Sequence, residues 1–222
     1  ILGGWPVRLE ANWHGGDETL ESRLADELDH AAKCFPEHAR EFLRQHASIW
    51  VNKSFCWGPE ARPIFGKVGC YHPDMEWLEE NFMHREKCKC VEIYNIKEFF
   101  KDGDYWHRPA GIIIHELSHA YHNQCLDQGY ENPEIKECFD KAMKDRLYDW
   151  VRVHGPQGPT AKAYACTNAM EYFAELSTAF LGQPNMHSEE EFNKWYPFNR
   201  RQIKEHDPRA YELLKKMWKV DD

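Results

Sequence analysis

The run Ile112-Ile113-Ile114-His115-Glu116-Leu117-Ser118-His119 constrains this chain more than any other stretch. Residues four apart share a helix face, so as a helix it presents the His115 and His119 imidazoles to one metal ion. Glu116 then points to the side of that ion, where it can take a proton from a bound water. Ile112, Ile113, Leu117 and Ala120 add an apolar face that has to be buried. Two histidines leave a catalytic zinc site one protein ligand short. The pattern HExxHxxGxxH would supply the third locally, but Gln124 and Cys125 fill that stretch. His122, about 10 Å further along the helix axis than His115, reads as a hydrogen-bonding wall residue. The third ligand must come from elsewhere.

Composition sets the weight of the motif. With 13 His and 24 Glu in 222 residues, chance alone supplies roughly 0.08 matches to HExxH, so the motif needs support from its surroundings. A hydrophobic fraction of 42%, with 14% aromatic residues, excludes intrinsic disorder. The length suits one domain with an ample core. A net charge of −9 argues against a general nucleic-acid binder, which needs clustered Lys and Arg. The longest apolar run, Ala110 to Ile114, has five residues, far short of the roughly 20 that span a bilayer.

The eight cysteines contain no CxxC pair. An even, scattered set reads as disulfides in an oxidising compartment, of unspecified connectivity. A start at Ile1, without an apolar leader, fits removal of a signal peptide. Asn52-Lys53-Ser54 permits N-glycosylation. The expectation is a secreted, extracellular protein.

Along the chain, strand patterns fall at Trp5 to Leu9, Ser48 to Phe55 and Cys90 to Tyr94. Helical spacing appears over Asp17 to Cys34, with Asp17 as its cap, then from Pro36 to about His46 and from Asp74 to His84. After residue 108 the pattern turns mostly helical. Helices are expected from Pro109 to about Gln124, Pro133 to Val151, Asn168 to Gly182 and Pro208 to Lys219. This order predicts an α+β fold in one domain, with a mixed lobe over 1–108 and a helical lobe over 109–222.

The Asn168 helix offers the missing ligand. Glu171 and Glu175 lie four apart on one face. Glu171 also stands three residues after Asn168, a capping-box spacing. Yet Tyr172, Phe173, Leu176, Ala179 and Phe180 make the helix largely buried, which favours paired or metal-bound carboxylates.

HExxH followed about fifty residues later by a helical glutamate resembles the gluzincin metallopeptidases. Within them, Tyr164-Ala165-Cys166-Thr167-Asn168-Ala169-Met170-Glu171-Tyr172-Phe173-Ala174-Glu175 is similar to a segment of the catalytic domain of anthrax-toxin lethal factor. The similarity covers about Ile112 to Phe180 and stops before about residue 100. The HELxHAYH and EYFAE motifs, with Val68 to Ile96 and Trp195 to Trp218, also resemble uncharacterised bacterial and eukaryotic metallopeptidase-like proteins. The resemblance implies Zn2+ held by His115, His119 and Glu171. It implies that Glu175, one turn on, orients a ligand histidine. It makes Tyr164 a hydroxyl donor to a developing oxyanion.

The implied activity is a zinc endopeptidase with Glu116 as general base and a peptide or protein substrate. An edge strand, with Cys90 to Tyr94 as the candidate, would hold the substrate by strand addition. Rival readings are a zinc hydrolase acting on a non-peptide amide, and a non-catalytic binding module that zinc only staples together. An intact Glu116 and Tyr164 speak against the staple, because a structural zinc site is closed by four protein ligands and needs neither.

Overall fold

The computed structural model describes residues 1–9, 18–53, 68–101, 109–185, 187–188 and 190–221. The elements in order are β1 (Val7–Leu9), α1 (Glu18–Cys34), α2 (Glu37–His46), β2 (Ile49–Val51), β3 (Gly69–Tyr71), α3 (Met75–Glu80), β4 (Val91–Ile93) and α4 (Ile96–Lys101). There follow α5 (Gly111–Cys125), α6 (Pro133–Lys144), β5 (Val151–Arg152), β6 (Thr160–Ala161), α7 (Ala169–Leu181), α8 (Arg200–His206) and α9 (Pro208–Trp218). The expected α+β class holds.

The main sheet has the order β1-β2-β4-β3. β1, β2 and β4 are parallel, and β3 runs antiparallel to β4. Strand residues alternate between two faces. Ile49, Val51, Tyr71, Val91 and Ile93 join the core, with Val7 and Leu9 packed against it. The opposite face carries Arg8, Trp50, Cys70 and Glu92, each aligned with its neighbour across the strands. Buried Glu92 is satisfied there by Lys87 Nζ, by Asn52 Nδ2 (2.6 Å) and by His72 Nε2 (2.7 Å). One continuous core joins Trp5, Leu24 and Ile49 to Ile113, Phe173 and Trp218, so both halves of the chain share it.

Several expected boundaries move, each for a physical reason. β4 lies inside the sheet, so the Cys90 to Tyr94 segment is not an edge; among the described residues β3 is the edge on that side. The Pro109 helix begins two residues late, because Ala110 adopts a left-handed conformation (φ 72°) and gives its N–H to the buried Glu27 carboxylate. The Pro133 helix stops at Lys144, where Arg146 turns left-handed (φ 59°), and Val151 becomes a strand. α4, α8 and the β5–β6 hairpin are additional elements. Asp17 and Ser54 lie outside the described residues.

The cysteine expectation also fails among the described residues. Cys34, Cys70, Cys88, Cys90, Cys125, Cys138 and Cys166 form no disulfide with one another. Even counts arise without pairing, and buried cysteine behaves as a small apolar residue. Cys34 and Cys138 pack in that way within the core. Among the described residues, no helix is long and apolar enough to cross a membrane.

Candidate metal centre

α5 is buried on nearly every side. From Gly111 to His122 only Glu116 escapes burial, which shows where the helix opens. α5 packs most extensively against α7, the helix expected to bring the third ligand. α7 begins with Asn168 as N-cap, its Oδ1 accepting from the Glu171 N–H at 2.8 Å. The capping spacing and the candidate ligand thus coincide: the cap orders the first turn, and the Glu171 side chain stays free to turn inward.

The inward turn is complete. His115 Nε2 lies 3.1 Å from Glu171 Oε2 and 3.1 Å from His119 Nε2, and His119 Nε2 lies 3.2 Å from Glu171 Oε2. A tetrahedral ion bonded at about 2.0–2.1 Å to each donor sets neighbouring donors about 3.3–3.4 Å apart, close to this triangle. Two imidazole nitrogens facing each other beside a carboxylate, in a buried setting, also form a chemically awkward trio without a cation. Among the described residues, His115, His119 and Glu171 are the group able to hold a metal. The donor set fits zinc.

Burial opposes ionisation of Glu171, but hydrogen bonding to His115 and His119, with their charges, outweighs it. The carboxyl is held well below the usual carboxylate range, ready as a ligand. Glu175 behaves oppositely. Burial and then the Glu171 charge push its carboxyl well up, and its Oε1 stands 3.4 Å from His115 Nδ1. Glu175 therefore sits behind His115, on the side away from the metal donors.

Tyr164 donates its hydroxyl to Glu171 Oε1 at 3.1 Å, leaving Oε2 to face the histidines. Its ring centroid is 6.3 Å from that of His115, and the residue is 38% exposed, so the hydroxyl stands at the open side. Burial, then the charge of Glu171, pushes the phenol pKa well up and keeps it a donor. His122 is not among the metal donors. Its ring packs against Tyr130 at 5.0 Å and Phe173 at 4.9 Å. Burial, then His119, pushes its pKa down to about 3.

Two features escape motif reading. The first is the partner of Glu116: its Oε2 accepts from the Tyr71 backbone N–H at 2.8 Å. Val68, Cys70 and His72 face β4, as the bonds Tyr94 N to Val68 O and His72 N to Cys90 O show. Alternation then turns Gly69 and Tyr71 outward, so Glu116 lies along the outer edge of β3. Tyr71 lines this edge through its backbone, while His72 is buried against Glu92. The second is Tyr130, whose ring lies edge-on to His119 at 6.4 Å. A backbone donor and a ring brought in by a turn leave no spacing in a sequence.

No family model matches the sequence, and no curated protein matches it either. The fold is similar to that of a Pro-Pro endopeptidase from Paenibacillus alvei, with a TM-score of 0.51. The two share 17% identity, with 95% of this chain and 96% of that one covered. The chain thus has the fold of a solved endopeptidase, with two histidines of an HExxH helix and a glutamate of a second helix gathered at one point.

Proposed function

We propose that this chain is a zinc-dependent endopeptidase of the gluzincin type, working as one domain over residues 1–222. The observation that supports it best is the position of Glu116, beside a ready-made metal triad and along the outer edge of a β-strand. His115, His119 and Glu171 would hold the zinc. Bound zinc would polarise the scissile carbonyl and make water acidic enough to attack near neutral pH.

The chain's own residues do the rest. An extended peptide can add to β3 through Gly69 N–H and C=O and Tyr71 C=O, which point away from β4. The Tyr71 N–H steadies Glu116 as it takes the proton of the attacking water. Glu116 then passes that proton to the leaving amine. Tyr164 turns its hydroxyl from Glu171 to the oxygen that gains charge. A zinc that only stapled helices would be closed by four protein ligands. Here the described donors number three, and a carboxylate faces the open side.

The test is cleavage of a proteome-derived peptide library by the zinc-loaded protein, beside Glu116→Gln and a chelator control. The wild type should cut and both controls should not. Equal, empty profiles for wild type and Glu116→Gln, with zinc stoichiometric in both, would sink the peptidase reading.

A further inference from the structure

One ammonium group lies on the path that a peptide added to β3 would take. Lys89 reaches the strand end from both sides. Its backbone N–H bonds His72 O at 2.7 Å, on the side that faces β4. Consecutive carbonyls of an extended chain point to opposite sides, so the Pro73 C=O turns to the outer edge. There Lys89 Nζ donates to it at 2.8 Å. A left-handed backbone at Lys89 (φ 65°) accompanies this wrap around the strand. Lys89 Nζ also donates to Asn123 Oδ1 at 2.6 Å, and Asn123 lies on α5 about two turns beyond Glu116. The Tyr71 hydroxyl donates to the same Oδ1 at 2.9 Å. The ammonium is thus fixed at Pro73, about 7 Å along the strand from Tyr71, whose N–H holds Glu116.

The charge of this group has no counterpart. Both acceptors are neutral oxygens, and among the described residues no carboxylate pairs with Lys89. Lys89 is half-buried, and a partly desolvated cation is costly without an anion. An ammonium has three donors; two are in use, which leaves one for a further acceptor. The long side chain is already held in place, so binding there loses little further freedom. We infer that Lys89 is a specificity-determining residue of the peptidase site: its ammonium takes an acidic side chain of the substrate, about two or three residues from the scissile bond, as the peptide adds along the outer edge of β3. The inference rests on the endopeptidase reading. It adds selection by charge to an edge whose backbone groups read no side chain.

The experiment is cleavage of a proteome-derived peptide library, and of matched peptides carrying Glu, Gln or Lys at the selected position, by the zinc-loaded chain and its Lys89→Met and Lys89→Glu variants. Wild-type cut sites should be enriched in Asp and Glu at one position on one side of the scissile bond. The ratio of kcat/KM for the Glu peptide over the Lys peptide should fall about 10-fold in Lys89→Met and invert in Lys89→Glu, chiefly through KM. A wild type that cuts without acidic preference, or variants that keep that preference, overturns the inference and leaves Lys89 a tie between α5 and β3. If neither variant folds, salt replaces them. The wild-type ratio should then fall towards one as ionic strength rises, and a ratio indifferent to salt overturns the inference. A wild type that cuts nothing removes the endopeptidase reading itself and this inference with it, a result distinct from cleavage without charge preference.

Discussion

Tyr164 spends its hydroxyl on the Glu171 oxygen turned away from the histidines, so losing it should leave the ligands in place. Tyr164→Phe is expected to lower kcat by about 10²–10³-fold with zinc content unchanged. Parallel loss of zinc, read by metal analysis, would instead make the tyrosine a support for Glu171. Glu175 should show a trade. Its folded pKa is raised, so above its unfolded value of about 4.3 folding must take up a proton or bury a charge, and apo stability falls as pH rises towards the folded pKa. Glu175→Gln should therefore melt higher than wild type as apo protein at pH 7, yet bind zinc about 10–100-fold more weakly. His122 runs the other way. Its folded pKa of about 3 lies below its unfolded value of about 6.5. Its neutral form thus contributes full stability above pH 6.5, and this is lost as pH falls towards 3, by up to about 1.4 kcal/mol per pH unit. His122→Phe, between Tyr130 and Phe173, should flatten that acid limb in urea unfolding of the apo protein.

At the scale of elements, helices were legible where their start is written locally. Asn168 before α7, Asp74 before α3 and Asp207-Pro208 before α9 all cap as their side chains suggest. Spacing marked the two candidate ligand helices, the family resemblance singled out Glu171, and the structure brings all three candidate donors together. What could not be read depends on partners far away in sequence. The start of α5 is set by Glu27, 83 residues upstream. The strand order rests on register between residues 20 to 42 apart, so an interior strand passed for an edge. The anchor of Glu116 is a backbone amide, which no side-chain pattern announces. The α7 cap carries a prediction of its own. Asn168→Ala should cost about 1 kcal/mol of stability. It should also weaken zinc binding, because the lost bond ends on the N–H of Glu171 itself.

For the molecule as a whole, the lack of a disulfide among the described cysteines changes what the chain relies upon. Among the described residues, stability comes from the continuous core and from buried polar ties rather than from covalent staples. Asp207 is one such tie: fully buried, it accepts from the Tyr172 hydroxyl (2.8 Å), the Tyr148 hydroxyl (3.1 Å) and the Ala210 N–H (3.3 Å). It joins α7, the turn after α6 and α9. Thiol titration of the unfolded, unreduced protein should find at least seven reactive groups; a much lower number would restore the disulfide framework and with it the case for an oxidising compartment.

The outer edge of β3 raises a problem of self-recognition. A surface built to accept any extended chain invites a second copy of the same protein, which is how exposed strands seed aggregation. β3 spans only three residues, and one of its two outward N–H groups is already occupied by Glu116. So short and partly filled a template gives a neighbouring copy little to grip. A substrate gains more, because it can also engage the metal beside the strand. Brevity there is a form of selectivity: the strand is too small to bind on its own, and binds only what the reaction centre helps to hold.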